Sequence, residues 1–213
     1  MTTLRNARLA AVRAHPASPL ITDCTQGRVE LSHATFDNWV TKTVNFLQTE
    51  ADLDDGSTID LDLPLHWMTA VWCVAAWEAG ANVGFGATEA DLRVGTGAGA
   101  DILVVADPLG MGPVPAGVDA SWAFPADVRS QPDQLIMPPA GEGAIPGMTA
   151  EDLYTAATGF AQQRGLQAGG RLQTELPVTG LDGALAAIAA PLAVDACVVY
   201  GPDSPQEPAT ARA

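Results

Sequence analysis

Asp60 and Asp62 stand two apart in Thr58-Ile59-Asp60-Leu61-Asp62-Leu63, which alternates as a strand does, so both carboxylates share one face. Paired carboxylates can hold a divalent ion, but a solvated or helix-facing strand edge explains them as well, and no metal site is expected. Gly95-Thr96-Gly97-Ala98-Gly99 carries part of a dinucleotide-binding spacing. That chemistry needs a strand before the glycines and a helix after them. The pattern instead predicts a helix over Thr88 to Val94 and a strand over Ile102 to Val105, which makes the glycines a flexible turn. Gly84-Phe85-Gly86 lies between a predicted strand, Ala81 to Phe85, and that helix, with Thr88 as cap. A helix N-terminus can hold an anion, yet Glu89 and Asp91 already occupy the positive end, so a structural turn is expected.

His15, His33 and His66 are far apart, and each begins or ends a predicted helix. Capping or surface roles follow, and no Ser-His-Asp or Cys-His arrangement emerges. Trp67, Trp72 and Trp77 recur every five residues and so spiral around their helix, which suits packing. Cys24, Cys73 and Cys197 form no CxxC pair, which argues against zinc and against a disulfide framework. Their odd number fits a reduced, cytoplasmic protein.

The charge balance narrows the partners. Among 213 residues, 25 acids oppose 10 bases for a formal net charge of −15, and Lys42 is the single lysine. Such a surface repels phosphate backbones and anionic lipid, so nucleic acid and membrane surfaces are not expected partners. The arginines, from Arg5 to Arg212, are scattered along the chain. The longest apolar run, Leu181 to Val194, is broken by Asp182, Gly183 and Pro191 and is too short to span a bilayer.

Met1 to His15 reads as an amphipathic helix ended by Pro16 and Pro19. Leu20 to Thr22 and Arg28 to Leu31 flank a hairpin turn, and Ser32 caps a helix carrying Phe36, Trp39, Val40, Val44 and Leu47. His66 to Ala79 is apolar nearly all round and must be covered on most sides. Strands are predicted at Ser121 to Phe124, Leu135 to Met137, Leu172 to Leu176 and Ala196 to Tyr200. Helices are predicted at Ala150 to Gln163, capped by Thr149, and at Leu181 to Ala190. Strands alternating with helices are the mark of βαβ units. The expected fold is therefore a three-layer α/β domain over residues 1–200, with a mainly parallel sheet and helices on both faces. Residues 201–213 form a polar, Pro-rich tail expected to be disordered.

Two blocks carry a family likeness. Arg28 to Val83 contains the turn Asp54-Asp55-Gly56-Ser57, then Pro64, Trp67 and Ala79-Gly80-Ala81; Met148 to Val199 contains Gly165-Leu166, Gly169-Gly170-Arg171, Leu176-Pro177 and Leu181-Asp182-Gly183. Together they cover about half the chain and resemble AMP-forming acyl-CoA synthetases and peptide-synthetase adenylation domains, specifically the first part of their large domain. A family of short actinobacterial proteins with distant similarity to AMP-binding enzymes is also similar. The resemblance implies a phosphate loop between the blocks, where hydroxyls, backbone N–H groups and a lysine hold ATP. The segment there runs from Met137 to Met148 and retains the skeleton Gly141, Gly143, Pro146 and Gly147, with Thr149 following.

The chemistry of that loop is missing. Pro138, Pro139 and Pro146 offer no N–H, no Ser, Thr or Lys lies inside, and Glu142 would set a negative charge against polyphosphate. Loss of one pre-organised donor typically costs about 3–4 kcal/mol of transition-state stabilisation. The family's later motifs and its C-terminal catalytic lysine have no counterpart before Ala213, and Tyr200-Gly201-Pro202-Asp203 matches the family's aromatic-acidic motif only by chance. The resemblance therefore implies a non-catalytic relative, a pseudoenzyme with no cofactor, acting through a protein partner or as a homo-oligomer. Two alternatives stay open: a binder of an acyl, adenylate or CoA-type small molecule, with site residues Gly141, Glu142, Gly143, Gly147 and Thr149, and a partial ligase completed by another chain.

Overall fold

The computed structural model describes residues 2–110, 112–139, 141–202 and 209–213. Helix α1 (Leu4–Ala14) is capped by Thr3 and leads into a hairpin of β1 (Pro19–Asp23) and β2 (Val29–Ser32). Ser32 caps α2 (His33–Thr49) through the amide of Thr35, as its position predicts. β3 (Thr58–Asp62), α3 (Trp67–Glu78) and β4 (Asn82–Gly84) follow as a βαβ unit with parallel strands. β5 (Leu92–Gly95), β6 (Ile102–Val104) and β7 (Trp122–Phe124) add to the same sheet, and α4 (Ala126–Arg129) is a single turn. The last third contains α5 (Ala150–Gln163), β8 (Arg171–Thr174), a helix α6 from Leu181 to Ala193, β9 (Cys197–Tyr200) and β10 (Ala211–Arg212).

The class is α/β with mainly parallel strands flanked by helices, as expected, but the strands divide into two sheets. One has the order β10-β8-β9-β1-β2, antiparallel only between β1 and β2; the other is β4-β3-β5-β6-β7, parallel throughout. The division arises because β1 pairs with β9, from the far end of the chain, rather than with β3. Helix α3 touches β1 of one sheet and β3 and β4 of the other, and also packs on α2. Every residue of α3 is buried, which explains the missing polar face. Trp72 lies 5.4 Å from the Phe124 ring, so the tryptophans serve packing.

Three local predictions fail. Thr88 to Val94 is not a helix: Leu92–Gly95 pairs as a strand with β3 and β6, placing Leu92 and Val94 inside and Arg93 outside. Leu135 to Met137 is not a strand but an exposed bend. The side chain of Asn45, wholly buried on α2, donates to the carbonyls of Pro132 (3.0 Å) and Gln134 (2.9 Å) and accepts the amide of Ile136 (2.9 Å). Lys42, one helical turn earlier, donates to the carbonyls of Arg129 and Gln131 and pairs with Asp133 at 2.7 Å. The only lysine therefore tethers this bend to α2. Asn45→Ala, losing three such bonds, is expected to lower the unfolding free energy by about 2–3 kcal/mol, read from urea denaturation. Finally, the tail closes as a strand, Ala211–Arg212 pairing with β8, while residues 203–208 lie outside the described residues.

Helix α6 shows how proline shapes a buried helix. It opens as an α-helix over Leu181–Ala184, widens to π-helical winding over Leu185–Ala189 and closes as an α-helix over Ala190–Ala193. Pro191 has no N–H for the carbonyl of Ala187 four residues back, and its ring would crowd that carbonyl in an α-helix. The wider turn relieves the crowding, and the buried hydroxyl of Tyr200 donates to Ala187 O at 2.7 Å.

Candidate functional site

The segment in the phosphate-loop position has no strand before it. It runs along the C-terminal end of α3 and the start of β4 as a packed strap; Ala140 within it lies outside the described residues. The Gly143 amide donates to Trp77 O at 2.7 Å, and Ala144 O accepts from the Val83 amide at 2.8 Å. The Ala144 amide faces Asn82 Oδ1 at 3.4 Å, and Ala144 is fully buried. Gly143 lies so close to the chain that an added Cβ would fall 1.8 Å from Ala81 O. The glycine skeleton persists because backbone meets backbone here.

The helix after the strap is equally occupied. Thr149 accepts the amide of Asp152 at 3.1 Å, while the Asp152 carboxylate takes the Thr149 amide (3.0 Å) and hydroxyl (2.7 Å). These bonds hold the Asp152 carboxyl below its usual range. Amides that a phosphate loop would aim at its ligand are thus already bonded at Gly143, Thr149 and Asp152, and Met148 donates to Ile145 O at 2.9 Å. The positive end of α5 faces Glu151 and Asp152.

The surrounding charge is also unfavourable. Glu142 accepts from the Thr3 hydroxyl at 3.0 Å, joining the strap to the start of α1. Asp55 rests against Gly80 and Gly141, where an added Cβ would meet its Oδ1 at 2.1 and 3.2 Å. Both nearby arginines face Glu78, the last residue of α3. Arg8 forms a buried two-pronged pair with it, Nε–Oε1 at 2.6 Å and Nη2–Oε2 at 2.7 Å, and also reaches Asp37; Arg5 Nε stands 3.8 Å from Glu78 Oε2. Thr3, Arg5, Pro139, Gly141, Glu142, Thr149, Ala150 and Glu151 border an open groove of about 530 Å³. The apolar cleft beside Gly143, between Leu4, Val74, Trp77 and Leu153, has room for only about 10 Å³, far too little for an acyl chain.

The other sequence candidates have structural employment. Asp60 accepts the amide of Ala87 at 2.8 Å, so it closes the Gly84-Phe85-Gly86 turn, which opens no helix. Asp91 accepts the amide of Thr58 at 2.8 Å. Gly95 to Gly99 follows a strand, contrary to expectation, but leads to strand β6 and not to a helix; with Asp60, Asp62 and Arg93 it lines a shallow recess of about 140 Å³. His66 caps α3, its Nδ1 accepting the Met68 amide at 3.2 Å, and burial lowers its pKa. Cys73 is wholly buried, which pushes its thiol up to about 12 and removes it as a nucleophile. Tyr200 and Gly201 belong to β9 and its exit, while Asp203 lies outside the described residues.

Sequence reasoning missed Asp23 and the pairing of His15 with Asp195. The buried Asp23 carboxylate accepts the amides of Thr25 (2.9 Å) and Trp67 (3.0 Å) and the Thr25 hydroxyl (2.6 Å), fixing the start of α3. His15 Nε2 meets Asp195 Oδ1 at 2.8 Å across 180 residues. No local pattern signals either contact.

Comparison with known proteins agrees with this architecture. No family profile matches the chain. It is 30% identical over 214 residues to a TIGR03089 family protein of Mycobacterium tuberculosis, covering 89% of this chain and 87% of that one. Among solved structures, it superposes on the Mycobacterium tuberculosis fatty acyl CoA synthetase with a TM-score of 0.68 at 12% identity, covering 95% of this chain and 45% of that one. The inhibitor-bound N-terminal domain of FACL13 from the same organism gives 0.68 at 14%, covering 96% and 58%. ATP-bound MatB from Rhodopseudomonas palustris gives 0.66 at 14%, covering 95% and 46%. The chain thus spans less than two thirds of each of these structures. No helix among the described residues is long and apolar enough to cross a membrane. Built on the fold of acyl-CoA synthetase N-terminal domains, the chain belongs to the TIGR03089 family.

Proposed function

We propose that this chain is a non-catalytic relative of AMP-forming acyl-CoA synthetases and adenylation domains that acts through protein contacts in the cytoplasm. The observation that carries the reading is the strap itself: the amides of Gly143 and Thr149 bond within the protein, and the carboxylates of Asp55, Glu142, Glu151 and Asp152 surround it. A triphosphate would have to displace those bonds and approach four carboxylates, with Arg5 and Arg8 already facing Glu78. An adenylate-binding role is weakened for the same reason, and the small cleft beside Gly143 weakens an acyl-binding one.

A contact role needs a surface, and the exposed side chains of Leu135, Ile136 and Met137 lie together on the bend that Asn45 and Lys42 tether to α2. The cytoplasmic placement rests on the thiols of Cys24, Cys73 and Cys197, none of which is joined in a disulfide.

The test is thermal unfolding with millimolar ATP, AMP, CoA, acyl-CoA or a stable acyl-adenylate mimic. A ligand at 100 times its dissociation constant stabilises by about 2.7 kcal/mol, a shift of several degrees. Flat curves are expected throughout. A clear shift with AMP or the adenylate mimic would overturn the contact reading in favour of a small-molecule binder.

A further inference from the structure

At the opposite end of α1, three side chains from distant parts of the chain converge. His15 follows α1, His33 is the first residue of α2, and Asp195 lies in the turn between α6 and β9. His15 Nε2 is 2.8 Å from Asp195 Oδ1, the two imidazole rings meet edge to face at 4.9 Å, and one donor atom from each residue lies within 4.8 Å of the other two. We propose that His15, His33 and Asp195 form a site for a divalent transition-metal ion of the zinc class.

The chemistry of the set fits. Two imidazoles and one carboxylate are ligands that zinc, cobalt and nickel accept, and three protein ligands leave a position for water. That position has access to solvent, because the Asp195 and His15 side chains are 46% and 33% exposed. His33 is buried, and its Nδ1 has no hydrogen-bond partner, an uncommon state for a buried polar atom. Bonds of about 2.0–2.2 Å to one tetrahedral ion place ligand atoms about 3.4 Å apart. The His15–Asp195 pair is already closer than that, and the widest separation, no more than 4.8 Å, needs to close by at most about 1.4 Å.

The backbone holds the three residues ready. The His33 amide donates to Ser18 O at 3.0 Å and the Ala34 amide to Pro16 O at 2.9 Å, so the turn after His15 is bound to the first turn of α2. Asp195 O accepts the Gly169 amide at 2.8 Å. Asp195 itself has φ of 57°, a left-handed conformation that costs a non-glycine residue energy and recurs at functional sites. A bound ion would join α1, α2 and the turn after α6, linking segments 180 residues apart, and would stabilise the fold by mass action.

The experiment is titration of the EDTA-treated full chain with Co2+ and with Zn2+ at neutral pH, following the Co2+ absorption spectrum, stoichiometry and Tm. The expected result is one ion per chain, a raised Tm, and Co2+ bands without the thiolate charge transfer that Cys24 or Cys197 would give. His15→Ala and Asp195→Asn should each weaken binding at least about tenfold while keeping the circular dichroism of the parent. Asparagine tolerates the left-handed backbone, so Asp195→Asn isolates the ligand atom. No binding at millimolar ion, a thiolate band, or unchanged affinity in either variant would overturn the proposal.

Discussion

Arg8→Met is expected to lower the unfolding free energy by about 3–5 kcal/mol, the range for removing one partner of a buried ion pair. Arg8 and Glu78 are each 3% exposed, and the guanidinium covers both oxygens of the carboxylate. Without it, Glu78 retains Arg5 at 3.8 Å as a neighbouring cation, too long for a good hydrogen bond. Asp37, 28% exposed, can turn to water. Arg8→Met/Glu78→Met should recover most of the loss, because well-packed apolar replacements for a buried pair are often neutral or stabilising. Urea denaturation of the two single variants and the double variant measures the coupling directly. A loss below about 1 kcal/mol for Arg8→Met would place the pair among weak surface bridges. The pair bears on function too, since it joins α1, α2 and the end of α3 on which the strap lies, and keeps Arg8 away from any anion at the strap.

How far the sequence could be read depended on the distance over which each feature is encoded. Thr149 and Asp152 cap α5 within one turn, and Ser32 does the same for α2, so both helix starts were legible. The all-apolar surface of α3 announced its burial, though not that it lies between two sheets. β5 was misread because only four residues form it, too few to establish alternation against a helical reading, and its identity comes from pairing with β3. Leu135 to Met137 has strand composition, but Asn45, some 90 residues away in sequence, fixes it as a bend. The glycines of the strap signal a close backbone approach but not its target: spacing cannot distinguish backbone approaching a ligand from backbone approaching Ala81.

That ambiguity makes Gly143→Ala the sharper of the two large predictions. A methyl group at Gly143 would lie 1.8 Å from Ala81 O and 2.4 Å from its carbonyl carbon, and neither can rotate away as a side chain could. The strap must shift outward, straining or breaking the Gly143 amide bond to Trp77 O and loosening that from the Val83 amide to Ala144 O. Overpacking of about 1–3 kcal/mol and about 0.5–1.5 kcal/mol for each hydrogen bond sum to an expected loss of about 2–6 kcal/mol in urea denaturation. Gly141→Ala is the control: its new methyl would meet the Asp55 carboxylate at 3.2 Å, a side chain that can yield, so its loss should stay below about 1 kcal/mol. If Gly143 instead belonged to an open ligand loop, its replacement would impair ligand binding and leave unfolding nearly unchanged. The stability difference between two glycines two residues apart therefore decides whether the strap is part of the fold's packing or a loop open to ligand.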